Sequence, residues 1–175
     1  MVAVSLKTPR DAIAAGVSVV HQNLSLVDGR DITHNVFLGA ELTRGLFVDR
    51  RRMERETQAL LDRLRLKMGP HVLVGELSGG QRQSIAIARA IHQGGRLCIM
   101  DEPTAALGVP EQRKVVELIG KLKAQGVGII FISHNLSDIF AVSDRILVLR
   151  RGVKAGERKI SETDGDEVVK LMVGA

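Results

Sequence analysis

The chain has 175 residues, of which 45% are hydrophobic and 26% charged, and its formal net charge at pH 7 is +5. This length and hydrophobic share suffice for one globular domain with a sizeable core. No apolar run approaches the ~18 residues of a membrane-spanning helix, and the amino-terminal stretch lacks the apolar centre of a signal peptide. The single cysteine, Cys98, permits no internal disulfide, which fits a reducing compartment.

Composition also argues against nucleic acid as a partner. The chain contains four phenylalanines and neither tyrosine nor tryptophan, so few rings are present on which bases could stack. The basic clusters at Arg50–Arg52 and Arg150–Arg151 are therefore expected to be solvated surface. We predict no nucleic-acid partner.

The first half of the chain is polar and mostly helical. Its turn-rich stretch runs from Asn23 to Gly39. The predicted elements are a helix over Arg10–Ala15 capped by Thr8, a strand over Val17–Val20, a short helix after Thr33, and an amphipathic helix from Asp49 to about Leu66.

The second half alternates apolar strands with amphipathic helices, a pattern typical of βαβ units and of a mostly parallel sheet covered on both faces. The predicted elements are a helix from Ser78 or Gly79, a strand over Leu97–Met100, a helix from Pro110 to Gly126, a buried strand over Ile129–Ser133, a short helix over Leu136–Ala141, a strand over Arg145–Gly152, and a last helix from about Asp166 to Met172.

The stretch GELSGGQRQSIAIARA carries the strongest functional signal. Gly79 and Gly80 let the backbone approach an anion, and the helix that follows presents unpaired N–H groups and a positive dipole end. The Ser78 hydroxyl adds a donor. An ordinary helix cap explains Ser-Gly-Gly taken alone, but the full string at a set distance before LCIMDEP favours a phosphate-handling site.

Polar side chains follow three of the predicted strands at their carboxyl ends, which line the ligand crevice of open α/β sheets. They are Gln22, Asp101 with Glu102, and Ser133 with His134. Asp101 at a strand tip can hold magnesium on a triphosphate, and Glu102 is free to orient or deprotonate a water. Each feature alone also has a structural explanation, since strands often stop at acids and a lone histidine is more often a loop residue.

Taken together, these strings resemble the ATP-binding-cassette (ABC) ATPases over nearly the whole chain. LSGGQRQSIAIARAI is similar to their signature motif, LCIMDEPTAALG to their Walker B motif and D-loop, FISHN to their switch histidine, and VVHQNLSL to their Q-loop. HNVFLGAE, DEPTAALGVPE and ISHNLSDIFAVSDRILVLRRG further resemble ATP-binding subunits of simple-sugar importers of the ribose, xylose and fructose type.

The resemblance implies an α/β, P-loop NTPase-like fold with a mostly parallel sheet and an inserted helical subdomain. Residues 23–95 would form that helical signature subdomain, and residues 1–22 and 96–175 would form the remainder of the α/β core. Gly108 stands where many cassettes carry an aspartate in the D-loop.

The resemblance also implies roles for individual residues. Gln22 would reach the magnesium and the attacking water, and Asp101 would bind magnesium through water. Glu102 would act as the general base, and His134 would hold the γ-phosphate. Contacts with the γ-phosphate of a nucleotide held by a second cassette are implied for Ser78, Gly79, Gly80 and Gln81.

The implied cofactors are ATP and Mg²⁺, and the implied activity is ATP hydrolysis coupled to sugar import. The implied partners are a second ABC ATPase domain in a head-to-tail dimer, transmembrane permease subunits and, indirectly, a periplasmic or surface sugar-binding protein. The protein would lie peripherally on the cytoplasmic face of the inner (plasma) membrane.

The phosphate-binding string G-x-x-x-x-G-K-[ST] does not occur in the chain, whose one Gly-Lys pair is Gly120–Lys121, followed by Leu122. The resemblance places this Walker A string before the Q-loop and implies that an inner strand is missing between those at Ile129–Ile132 and Ile146–Leu149. We therefore expect an amino-terminally truncated domain that is inactive alone, because losing a lysine charge ~4 Å from a phosphate forfeits ~4 kcal/mol at an effective dielectric near 20.

Two other functions are compatible with part of this pattern. Cassette ATPases of DNA repair insert a long coiled coil between Q-loop and signature motif, whereas here 55 residues (78 − 22 − 1) separate Gln22 from Ser78 without sustained heptads. A non-catalytic or relic subunit that only presents its signature loop to a complete partner cassette stays open as the alternative.

Overall fold

The computed structural model describes residues 6–174. The chain divides into two compact units, Met1–Ile132 and Ser133–Ala175. The outermost residues of the predicted core segments, 1–5 and 175, lie outside the described residues. The predicted helical subdomain, 23–95, falls within the first unit, and its boundaries stay a prediction.

The first unit holds five helices and five strands among its described residues. In chain order they are α1 (Pro9–Ala14), β1 (Val17–Val20), α2 (Ile32–Val36), β2 (Thr43–Arg44), β3 (Phe47–Val48), α3 (Arg50–Leu64), α4 (Gly79–His92), β4 (Leu97–Asp101), α5 (Val109–Ala124) and β5 (Gly128–Ile132), with a 3-10 turn at Val74–Glu76.

A parallel sheet in the order β1-β4-β5 forms the centre of this unit. Parallel neighbours need a crossover, and α5 provides the one between β4 and β5. The central strand buries Cys98 and Met100 completely, as expected for an apolar strand with a neighbour on each side. The predicted α/β fold with a parallel sheet is confirmed.

The strand predicted at Ile129–Ser133 is present, but the prediction that it is buried is wrong. The strand covers Gly128–Ile132, and Ile130 and Ile132 are each 47% exposed. Among the described residues β5 pairs with β4 alone, so it is an edge strand. An apolar run therefore predicted the strand correctly, but its burial depends on neighbours that a sequence does not display.

Helix α4 lies at the centre of the helical part of the unit, in contact with α2, α3, α5 and β1. Its residues Ile85–Ala88 are all buried, because helices pack against more than one of its faces. Helix α3 instead buries a single stripe, as its predicted amphipathic pattern requires. The buried residues of α3 are Met53, Thr57, Leu60, Leu61 and Leu64.

A short antiparallel hairpin, β2–β3, was not predicted from the sequence. Thr43 pairs with Val48 and Arg44 with Phe47 across a turn at Gly45, whose φ is +64°. Each strand has two residues, too few to show the alternation that identifies a strand.

The second unit contains α6 (Leu136–Val142), β6 (Arg145–Arg150), β7 (Val153–Lys159) and α7 (Gly165–Val173), with a 3-10 turn at Ile160–Glu162. Strands β6 and β7 form an antiparallel hairpin through Arg151 and Gly152, both at positive φ, so the predicted strand over Arg145–Gly152 ends two residues earlier. Helix α7 packs on this hairpin and buries Val168. Across residues 6–174, no helix has the length and apolar composition needed to cross a bilayer.

Candidate functional site

The glycine-rich motif forms the start of α4, as predicted. Ser78 is the N-cap, and its hydroxyl oxygen accepts a hydrogen bond from the backbone N–H of Gln81 at 3.4 Å. The Gln81 side chain in turn accepts from the Ser78 N–H at 2.9 Å, which completes a capping box. This reciprocal pair explains why the helix begins where it does.

The two glycines of the motif lie close to the segment that follows β4. A Cβ added to Gly80 would lie 2.8 Å from Cβ of Glu111, and one added to Gly79 would lie 3.2 Å from Cδ2 of Leu107. Contacts under about 3 Å between carbon atoms are repulsive, since their optimal separation is about 3.5–4.0 Å. Gly80 is therefore required by packing, independently of any ligand.

Glu111 contacts the donors of the motif directly. Its carboxylate accepts a hydrogen bond from the Gly80 N–H at 3.4 Å. A hydrogen bond from the Ser78 hydroxyl, followed by those from the N–H groups of Gly80 and Gly108, lowers the pKa of Glu111 below its usual value. Glu111 was not predicted from the sequence, although glutamate at the third position of a helix is a recognisable capping signal.

A cavity of about 550 Å³ opens in front of the motif, between the end of α3, the start of α4 and α5. Four cationic residues line it against two acids, so its electrostatic environment favours an anion. The cations are Arg65, Lys67, Lys114 and Lys121, and the acids are Glu111 and Glu117.

Two of the predicted site residues lie at one edge of the parallel sheet. Val20, the last residue of β1, is opposite Met100, and Asp101 ends β4 one residue later. Gln22 follows β1 by two residues and is exposed, whereas Asp101 is half-buried. The ends of β1 and β4 lie side by side, because these strands are parallel and in register. That Gln22 and Asp101 share one site stays a prediction.

Glu102 leaves the direction of the strand at once. Its φ is +48°, a left-handed conformation that is uncommon for any residue other than glycine, and its N–H donates to the carbonyl of Ile132 at 2.9 Å. Such conformations persist where the surrounding structure enforces them, often at functional sites. Glu102 as a residue is half-buried, like Asp101.

His134 belongs to the second unit, at the start of α6. It is exposed and lies between two residues held by hydrogen bonds. The Ser133 hydroxyl accepts from the Asn135 N–H at 3.0 Å, and the Asn135 side chain caps α6 by accepting from the Ser137 N–H at 3.0 Å. Its contact with a γ-phosphate stays a prediction.

Two arginines of α4 form polar contacts with the segment that follows Gln22. Arg89 donates to the carbonyl of Ser25 at 2.9 Å and to that of Leu24 at 2.7 Å. Arg82 forms an ion pair with Asp28 at 3.2 Å. The sequence analysis missed both residues, although arginine on an otherwise buried helix signals that carbonyls or carboxylates lie nearby.

The oxygen-bearing side chains that follow β1 and end β4, Gln22 and Asp101, are of the type that Mg²⁺ prefers. Within residues 6–174, no group of three or more histidine, cysteine, aspartate or glutamate side chains is placed to hold a metal. Mg²⁺ in phosphate-transferring sites is usually bound through one or two protein groups together with phosphates and waters. Asp101 and Gln22 provide a donor set of that size.

A sequence profile described as ABC transporter matches residues 3–105 of the chain. The chain therefore belongs to the ABC transporter family, and the resemblance seen in its motifs is confirmed.

Two relatives import pentoses according to their names. The ribose import ATP-binding protein RbsA of Yersinia pestis is 41% identical over 97% of this chain and 34% of its own length. The xylose/arabinose import ATP-binding protein XylG of Sulfolobus acidocaldarius is 40% identical over 97% of this chain and 68% of its own. The chain thus spans about a third of the RbsA sequence.

Solved structures with the same fold are ATP-binding cassettes. The cassette MJ1267 of an ABC transporter matches with a TM-score of 0.79 and 23% identity over 94% of this chain and 71% of its own. The dimeric cassette MJ0796 in a post-hydrolysis state, bound to ADP and Pi, matches with a TM-score of 0.69 and 25% identity over 89% of this chain and 68% of its own. The predicted ABC ATPase fold is confirmed.

Proposed function

We propose that this chain is part of the ATP-hydrolysing cassette of an importer for simple sugars. The observation that carries the proposal is the joint presence, in one compact unit, of a Ser-Gly-Gly helix start and a strand tip ending in Asp101–Glu102. About 40% identity to ribose and xylose/arabinose import proteins supports the sugar class.

At the sheet edge, Asp101 and Gln22 would orient a nucleotide and the magnesium that accompanies it. Bound magnesium would neutralise charge that develops on the transferring phosphoryl group. Glu102, turned away from the strand by its left-handed backbone, would accept a proton from the attacking water. His134 would donate a hydrogen bond to the γ-phosphate.

The start of α4 would act on a nucleotide held by a second cassette in a head-to-tail dimer. Ser78, Gly79 and Gly80 combine a hydroxyl, backbone N–H groups and the positive end of a helix dipole, which suits a terminal phosphate. The backbone N–H of Gln81 is already bonded to Ser78, so Gln81 would contribute mainly by holding the cap.

The phosphate-gripping loop of a cassette would have to come from outside these 175 residues. The string G-x-x-x-x-G-K-[ST] is absent from the sequence, and the described part of β5 pairs on one side only. This 175-residue chain alone would therefore bind ATP weakly and hydrolyse none. In the cell, it would act with permease subunits, peripherally at the cytoplasmic face of the inner (plasma) membrane, with a sugar-binding protein as an indirect partner.

The proposal can be tested with a composite ATP site, in which one protein provides the phosphate loop and this chain provides the signature motif. A complete family member that retains its own phosphate loop but carries a disabled signature motif is mixed with this chain, and ATP hydrolysis is measured. We expect hydrolysis that requires both proteins and that is abolished by Ser78→Arg. Ser161→Arg, at an exposed serine of the second unit, should leave it unchanged.

Glu102→Gln distinguishes the catalytic role from presentation of the signature loop alone. In the composite site the water-activating glutamate belongs to the partner, so Glu102→Gln should leave its rate unchanged. The same substitution should abolish hydrolysis once a phosphate loop is joined to this chain. If activity persists there, the chain only presents its signature loop. If Ser78→Arg has no effect in the composite site, the signature assignment is wrong.

A further inference from the structure

We propose that the carboxylate of Glu111 competes with a nucleotide's terminal phosphate for the donors of the signature loop, and so sets the affinity of that loop for nucleotide. This inference rests on the proposed function, which assigns the Ser78 and Gly80 donors to a phosphate. It adds a residue outside the signature motif that determines when those donors are accessible.

The geometry places one carboxylate at the start of two helices. The Glu111 carboxylate, in the first turn of α5, accepts a hydrogen bond from the Gly80 N–H at the start of α4. The nearby Ser78 hydroxyl, followed by the backbone of Gly80 and Gly108, lowers the pKa of this carboxylate. The Gly80 N–H, one of the donors that would bind a phosphate oxygen, is thus already paired with an anion when nucleotide is absent.

The hydrogen bond between Gly80 and Glu111 is weak enough for a phosphate to replace the carboxylate. Its Gly80 N–H to carboxylate distance is 3.4 Å, whereas charge-assisted hydrogen bonds are usually about 2.7–2.9 Å long. Glu111 is only partly buried, so its side chain can turn outward without unfolding α5. Lys114, exposed three residues further along α5, already attracts this carboxylate and can hold it after release.

Displacement is required because the two anions need the same donors. The Gly80 N–H has one proton and cannot serve a carboxylate and a phosphate oxygen together at good geometry. A carboxylate left beside the phosphate would also repel it, since like charges at close range oppose binding. Nucleotide binding must therefore move the Glu111 side chain.

The experiment uses the composite ATP site formed with a complete cassette, with ATP itself as the probe. We measure the ATP concentration that gives half-maximal hydrolysis for Glu111→Gln, which keeps the side-chain shape and removes the charge. We expect this concentration to fall about two- to fivefold, the size of effect typical of exposed charge contacts. A purely structural role for Glu111 would raise it instead.

Glu117→Gln is the matched control. Glu117 lines the same cavity on α5 and carries the same charge, but no hydrogen bond joins it to Ser78 or Gly80 among the described contacts. We expect its effect to be smaller than that of Glu111→Gln. Equal effects would mean that overall cavity charge, and not competition for the donors, controls affinity, and would overturn the proposal.

A second readout does not depend on catalysis. The carboxyl ¹³C resonance of Glu111 should shift when ATP is added to the complex, and that of Glu117 should stay nearly unchanged. If Glu111→Gln leaves ATP affinity unchanged or weaker while Ser78→Ala still reduces activity, the competition is refuted and the proposed function survives. If Ser78→Ala also has no effect, both are refuted.

Discussion

Gly80→Ala tests the close approach of α4 and α5 at the candidate site. The new Cβ would lie 2.8 Å from Cβ of Glu111 and 3.3 Å from its Cγ. Cβ of Glu111 is fixed to the backbone of α5, so turning the glutamate side chain cannot relieve the shortest contact. The two helices must instead separate by several tenths of an ångström.

The expected cost follows from two opposing effects. Forcing an extra methyl group into a packed contact costs about 1–3 kcal/mol. Replacing glycine with alanine within a helix returns roughly 0.5–1 kcal/mol through reduced backbone freedom in the unfolded chain. We therefore expect Gly80→Ala to lower the free energy of unfolding by about 0–2.5 kcal/mol, the difference between the two effects.

The measurement is urea-induced unfolding of the purified chain, with the midpoint compared at constant slope. Gly120→Ala is the matched control, because Gly120 lies inside α5 with nothing within 4 Å of an added Cβ. That variant should be stabilised by about 0.5–1 kcal/mol. Should Gly80→Ala prove as stable as Gly120→Ala, the helices do not approach as described and the packing explanation for Gly80 is wrong.

Two further predictions concern the helix that carries the signature motif. Arg89→Met removes the hydrogen bonds to the carbonyls of Leu24 and Ser25, so we expect a loss of about 1–3 kcal/mol in unfolding free energy. Amide hydrogen exchange in the residues after Gln22 should also accelerate. If both quantities match those of an Arg51→Met control, these hydrogen bonds do not hold the segment in place. Burial lowers the pKa of His92 below 6.5, so the unfolded chain binds the proton more readily, and stability should decline as pH falls below about 6.5. His92→Phe should flatten that decline in unfolding measurements between about pH 7.5 and pH 5.5, and an unchanged pH slope would exclude His92 as its source.

Much of the fold was predictable because its signals are local. The capping pair Ser78 and Gln81, three residues apart, indicates where helix α4 begins. Apolar residues at helical spacing indicate the buried face of α3. The apolar run before Asp101 likewise predicts a buried strand and its polar tip. Such patterns depend on neighbours within one or two turns of chain.

The motifs also predicted the family and the candidate residues at the sheet edge. Gln22 and Asp101 are far apart in sequence, but each follows an apolar strand, and parallel strands end at one edge. A general property of parallel sheets was therefore enough to bring them together.

Other features depend on contacts between distant residues, which no periodic pattern in the sequence indicates. Glu111 and Gly80 are hydrogen-bonded although they are 31 residues apart in the sequence, and Arg89 and Leu24 although they are 65 residues apart. The exposure of Ile130 and Ile132 likewise follows from β5 having a single pairing partner among the described strands. Most of the elements, the family and the motif residues could be predicted from the sequence, because capping, periodicity and strand ends are local signals. The hydrogen bond from Gly80 to Glu111 is visible only in the folded chain, because it requires α4 and α5 to be packed side by side.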